Sequence, residues 1–103
     1  MGKGEGIYIY RMDQASGALE FSSKITGVTN SSYLSFDPKQ QFLYAVNELK
    51  TFEGKPTGSI SAFSVDSETG RLKFLNKKPT RGTDPCHVTV DKTGRYVLVA
   101  NFM

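Results

Sequence analysis

The residues best equipped for chemistry in this sequence are the one imidazole, His87, a carboxylate at Glu48, a phenol at Tyr33, and the amides Asn47 and Asn101. Imidazole and carboxylate can take a proton from water, and histidine ordinarily titrates at about 6.5, close to neutrality. Amides and a phenolic hydroxyl can donate to an oxyanion or to a bound hydroxyl. Metal chemistry is not expected, since one His and one Cys cannot build a zinc site. Cys86 reads as a small buried residue rather than a nucleophile, with Arg81 its one basic neighbour. No cofactor is implied: Gly2-Lys3-Gly4-Glu5-Gly6 runs into a strand and lacks the helix N-terminus that cradles phosphate.

What must position these groups is an internal repeat. Ile7–Phe21 matches Ile60–Phe74 at a displacement of 53 residues, pairing Asp13 with Asp66, Gly17 with Gly70 and Phe21 with Phe74. Asn30–Glu48 matches Asp84–Phe102 at 54, pairing Asp37 with Asp91 and Asn47 with Asn101. Two matches at nearly one period define a repeat protein, with a unit slightly longer than WD40 and near kelch.

Each unit reads as four short strands without helix. In the complete unit these are Tyr33–Phe36, Phe42–Asn47, Ser59–Val65 and Leu72–Leu75. Leu34 and Phe36 alternate with Tyr33 and Ser35, whereas Phe42–Val46 is apolar on both faces, as for a strand covered on both sides. Turns that open on Asp and close on Gly join the strands: Asp-x-x-x-Gly at Asp13 to Gly17 and Asp66 to Gly70 between strands three and four, and Asp-x-x-Gly at Asp91 to Gly94 between one and two. The aspartate bonds backbone amides and the glycine takes the left-handed residue. In the counterpart Asp37-Pro38-Lys39-Gln40-Gln41 the glycine is gone, so Gln40 is expected at positive φ, at a cost of roughly 1 kcal/mol.

Four antiparallel strands repeating at ~50 residues predict an all-β fold, a partial β-propeller of about two four-stranded blades. The expected division is a half unit over 6–29, a full unit over 30–83 and a half unit over 84–103, an arc that cannot close a ring alone. The start of strand one and the end of strand two share a rim, so Tyr33, Asn47 and Glu48 converge there. His87 and Asn101 do the same in the next unit.

These residues carry a family resemblance. Gly6-Ile7-Tyr8-Ile9-Tyr10, Ser32-Tyr33-Leu34, Leu43-Tyr44-Ala45-Val46-Asn47-Glu48, Ser61-Ala62-Phe63, Pro85-Cys86-His87-Val88 and Leu98-Val99-Ala100-Asn101 follow one family pattern in order. The chain resembles the N-terminal part of the seven-bladed lactonase family, typified by bacterial propeller-type 6-phosphogluconolactonase and related to carboxymuconate-lactonizing enzymes. It departs from that pattern at Ser31-Ser32, where proline is usual, and at Gln40-Gln41, where Gly-Arg is usual. The family's later blade motifs are absent. The resemblance implies hydrolysis of a sugar lactone, most simply 6-phosphogluconolactone in the pentose phosphate pathway. His87 or Glu48 would activate water, and Tyr33, Asn47 and Asn101 would hold substrate. Lys50, Lys55 and Arg81 are on the rim where a phosphate would bind. The isolated chain is expected to be inactive. The alternatives are a propeller that binds or scaffolds without chemistry, and a truncated gene product with no independent activity.

Composition narrows the rest. With 103 residues, net charge +3 and 38% hydrophobic content, the chain has no apolar run long enough to span a membrane. No signal peptide is visible, and a cytoplasmic location is expected. The positive charges are scattered, so no nucleic-acid partner is expected. Open blade faces and edges predict self-association instead.

Overall fold

The computed structural model describes residues 6–28, 30–49 and 51–102. They form eight antiparallel strands and no helix: β1 (Gly6–Met12), β2 (Leu19–Thr26), β3 (Ser31–Phe36), β4 (Phe42–Asn47), β5 (Ser59–Val65), β6 (Leu72–Pro79), β7 (Pro85–Val90) and β8 (Val97–Asn101). The strands make three sheets, β1-β2, β3-β4-β5-β6 and β7-β8. This is a partial propeller, with each strand joined to the next by a short turn or a loop.

The turns form as their aspartates dictate. Asp13 Oδ1 accepts the amides of Ala15 and Ser16 at 2.8 and 3.1 Å, and Asp66 Oδ1 those of Glu68 and Thr69 at 2.8 and 3.0 Å. These carboxylates spend their oxygens on backbone amides, and the described residues hold no group of three or more potential metal ligands. Gln40 stands at φ 57°, where its counterpart Gly94 has φ 75°. Asp37 Oδ1 accepts the Gln41 and Phe42 amides at 2.7 and 2.8 Å, as Asp91 Oδ1 accepts those of Arg95 and Tyr96 at 3.0 and 2.9 Å in the twin turn.

Strand six corrects the sequence reading, which ends it at Leu75. A β-bulge between Ala62 and Phe63 leaves Leu75 unpaired, and the strand then continues to Pro79, which pairs with Ser59. The same bulge recurs between Ile9 and Tyr10, with Ser22 as the extra residue. An extra residue in one strand increases the local twist while the ladder resumes beyond it.

The core lies between the first sheet and the second. Ile7, Val28, Leu43, Ala45 and Phe63 are buried together, with Ile9, Ile25, Val65 and Leu72 packed against them. Val46 and Val88 are buried as well, and β7 packs on β3 and β4. The central strand β4 is therefore covered from both sides, as its continuous apolar run requires.

Candidate active-site rim

The register places the sequence-predicted residues at one end of the sheets. Ser31 pairs with Asn47 in one sheet, and Pro85 pairs with Asn101 in the next. Each of these pairs is followed by a bulge, at Ser32 and at Cys86, so the residue after it is re-aimed relative to simple alternation. Those residues are Tyr33 and His87. Their rings lie 4.5 Å apart between centroids at 48°, and both side chains are exposed. Phenol and imidazole from consecutive innermost strands thus form one contact.

Backbone hydrogen bonds fix this end of the molecule. Glu48 donates its amide to the Asn30 carbonyl at 2.9 Å, and the equivalent Phe102 donates to Asp84 at 3.0 Å. Asp84 donates to the Leu49 carbonyl at 2.9 Å, tying the start of β7 to the residue after Glu48. The Ser32 hydroxyl donates to the Pro85 carbonyl at 3.2 Å. Tyr33, Glu48 and His87 are therefore held on one crosslinked frame, with Glu48 half-buried beside it.

Asn47 occupies a different place from the one expected. It is fully buried, and its Oδ1 accepts the hydroxyls of Ser59 and Ser61 at 3.0 and 2.9 Å. In this position the Asn47 side chain anchors the end of β4, one residue before Glu48. Asn101 is exposed, and its Nδ2 donates to the Thr80 carbonyl at 3.1 Å. Cys86 is also corrected: the bulge turns it outward, and the thiol is exposed, 3.8 Å from the Ala100 carbonyl.

Sequence reasoning missed the loop that seats β7. Thr57 Oγ1 accepts the Arg81 amide at 2.9 Å and turns its hydroxyl toward the Gly58 and Gly82 carbonyls at 3.0 and 3.3 Å. Gly58 is required by close approach, because a Cβ there would stand 2.2 Å from the Pro85 ring. The signal was the pairing of Thr57-Gly58 with Thr80-Arg81-Gly82, two small polar stretches that precede strands. Of the rim cations, Lys55 and Arg81 are exposed; Lys50 lies outside the described residues, as does Gly2 to Glu5.

An open concavity of about 490 Å³ adjoins this rim, bounded by Ser31, Ser32 and Tyr33 on one side and Gly6 to Tyr8 on the other. Tyr33 thus stands between an open space and His87. The arrangement brings an imidazole, a phenol and a solvent-accessible cleft together at one end of the sheets.

Comparison with known proteins identifies the family of the fold. The model of the lactonase family, described as a 7-bladed β-propeller, matches residues 1–103, and the chain belongs to this family. It is 33% identical over 99 residues to a 6-phosphogluconolactonase of Formosa agariphila, covering 96% of this chain and 27% of that protein. It is 32% identical over 101 residues to the 6-phosphogluconolactonase of Bacillus subtilis, covering 98% and 28% respectively. The solved periplasmic gluconolactonase of Pseudomonas aeruginosa superposes with a TM-score of 0.81 at 32% identity, over 97% of this chain and 28% of that one. The chain thus spans just over a quarter of the length of these relatives.

Proposed function

We propose that this chain supplies part of the active-site mouth of a sugar-lactone hydrolase acting on 6-phosphogluconolactone, the substrate class in the names of two relatives. The observation that carries the reading is the Tyr33–His87 contact on the shared rim. His87 removes a proton from the water that attacks the lactone carbonyl and returns it to the ring oxygen as the acyl C–O bond breaks and the carboxylate forms; Glu48 is the alternative base. Tyr33 and Asn101 donate to the substrate or to the oxyanion as the tetrahedral intermediate forms. Asn47 acts from behind, holding the strand end that carries Glu48. The chain divides as a half unit over 6–29, a full unit over 30–83 and a half unit over 84–103, so the remaining groups come from other blades. The exposed, unpaired Cys86 thiol fits a reducing compartment such as the cytoplasm.

The test is a chimera in which this chain replaces the matching segment of the Bacillus subtilis relative. 6-Phosphogluconolactone hydrolysis is expected in the chimera and absent from the 103-residue chain alone. His87→Ala in the chimera is expected to lower kcat/KM by about 10²-fold or more. A propeller that merely binds or scaffolds would give no hydrolysis above the uncatalysed rate, or a rate indifferent to both His87→Ala and Glu48→Gln.

A further inference from the structure

The two connections that lead into β3 and β7 share a backbone pattern but differ at one residue. Asn30, just before β3, has φ 49°, and its repeat equivalent Asp84, just before β7, has φ 53°. Three residues earlier in each connection the backbone is again left-handed, at Gly27 with φ 80° and at Arg81 with φ 64°. Glycine takes this conformation freely, whereas arginine takes it at a cost. The other non-glycine residues at positive φ have local reasons. Asn30 and Asp84 are of the types that tolerate it. Glu53 precedes Gly54 in a two-residue turn closed by bonds between Phe52 and Lys55 at 2.9 and 3.1 Å. Gln40 belongs to the Asp37 turn at the opposite end of the sheets, which shows that strain alone does not make a site.

Arg81 differs from Gln40 in its charge, its rim and its seating. Its amide donates to Thr57 Oγ1 at 2.9 Å, and Thr57 is buried. The Gly58 amide donates to the Gly82 carbonyl at 2.7 Å, and the Thr80 amide donates to the Gly58 carbonyl at 2.9 Å. Gly82 lies so close to Asn101 that a Cβ there would stand 2.7 Å from Asn101 Cγ. Asn101 Nδ2 in turn donates to the Thr80 carbonyl at 3.1 Å. Asn101 adjoins Ala100, the pairing partner of His87. The fold thus holds an arginine in a costly conformation at the rim that carries the imidazole. Strain fixed in this way by its surroundings is characteristic of binding and catalytic positions. Arg81 is exposed, and among the described residues no carboxylate pairs with it.

We infer that Arg81 binds the phosphate of a phosphorylated sugar lactone and sets the preference for it over the unphosphorylated lactone. This rests on the lactone-hydrolase reading and adds to it the residue that selects the substrate. A guanidinium stays charged at any working pH and presents a planar fork of donors to two phosphate oxygens. A neutral sugar hydroxyl gains far less from that fork. Thr57, Gly58 and Asn101 are its positioning residues. Lys55, by contrast, closes a surface turn and has no such seating.

The test uses the chimera with the Bacillus subtilis relative, assayed on 6-phosphogluconolactone and on unphosphorylated glucono-1,5-lactone. Arg81→Gly should raise KM for the phosphorylated lactone by about 10- to 100-fold, the usual effect of losing a charge-assisted hydrogen bond. KM for the unphosphorylated lactone should not change, and Arg81→Lys should recover part of the loss. Equal shifts for the two lactones, or no shift, would overturn the inference. Calorimetric binding of 6-phosphogluconate and gluconate separates this question from hydrolysis. A chimera that turns over neither lactone would refute the hydrolase reading. A selective loss of 6-phosphogluconate affinity in Arg81→Gly would still support phosphate recognition, and unchanged affinity would overturn it. Glycine also relieves the left-handed strain, so the thermal midpoint of the chimera should rise as phosphate affinity falls. A lowered midpoint with both ligands weakened alike would assign Arg81 to the fold and overturn the inference.

Discussion

Two aromatic pairs related by the 53-residue displacement separate local from long-range effects. In the complete sheet Phe63 meets Phe74 edge-on at 5.9 Å and 66°. In the first half sheet Tyr10 meets Phe21 edge-on at 5.8 Å and 77°. The geometry is nearly the same, yet Phe63 is 0% exposed and Tyr10 is 52% exposed. The bulge, the turn and the cross-strand pair are thus set locally, while burial comes from neighbouring strands and sheets. β4 and β8 teach the same lesson. Ala45, Val46 and Asn47 are buried, whereas their counterparts Val99, Ala100 and Asn101 are half-buried or exposed.

The comparison can be broken most forcefully at the aromatic pair. Phe63→Ala should cost about 3–5 kcal/mol, enough to abolish cooperative folding in so small a chain. Tyr10→Ala should cost below about 1.5 kcal/mol. Urea denaturation of both variants checks this, and equal losses would show that the half sheet carries as much packing as the complete one.

A smaller contrast is expected between the two amides. Asn47→Ala strands two buried hydroxyls and should cost about 2 kcal/mol, whereas Asn101→Ala removes one exposed bond and should cost under about 1 kcal/mol. Denaturant midpoints of the two variants give the comparison directly. In the twin turns at Gln40 and Gly94, Gln40→Gly should stabilise by roughly 1 kcal/mol and Gly94→Gln should destabilise by a similar amount. Thermal melts would detect both.

The finest contrast is in acid. Amides of Thr69 and Glu68 hold the Asp66 carboxyl below its ordinary 3.8, and those of Ser16 and Ala15 do the same for Asp13. At Asp37 burial pushes the other way, and the amides of Phe42, Gln41 and Lys39 outweigh it. A carboxylate whose folded pKa is depressed contributes stability above its unfolded pKa and loses it as pH falls through the folded value. Asp66→Asn should therefore lower the urea midpoint at pH 6, the difference shrinking as the pH falls below 3.8. A pH-independent difference would assign the effect to turn geometry alone.

The strands and turns were legible because alternation, Asp-x-x-x-Gly spacing and the repeat all act locally. Even the positive φ of Gln40 followed from aligning its turn with the glycine of the next unit. The bulges at Ser22, Ser32, Leu75 and Cys86 were not legible, since an extra residue declares itself only when two strands are counted against each other. That omission explains why Cys86 was expected inside and why β6 was ended early. Asn47 and Glu48 looked alike as polar residues at a strand end. The distinguishing sign was Ser59-Ile60-Ser61, which presents two hydroxyls on one face opposite the amide. Tyr33 and His87 were placed on one rim by the repeat, but their ring contact required the packing of β7 on β3.

The central claim, that this rim supplies a base to a lactonase mouth completed by other blades, is tested most directly by 6-phosphogluconolactone hydrolysis in the chimera with His87→Ala and Glu48→Gln combined. The account predicts turnover in the parent chimera, a loss of about 10²-fold or more in the double variant, and no turnover by the 103-residue chain alone. A double variant as fast as its parent, or ordinary enzymatic turnover by the isolated chain, would contradict it.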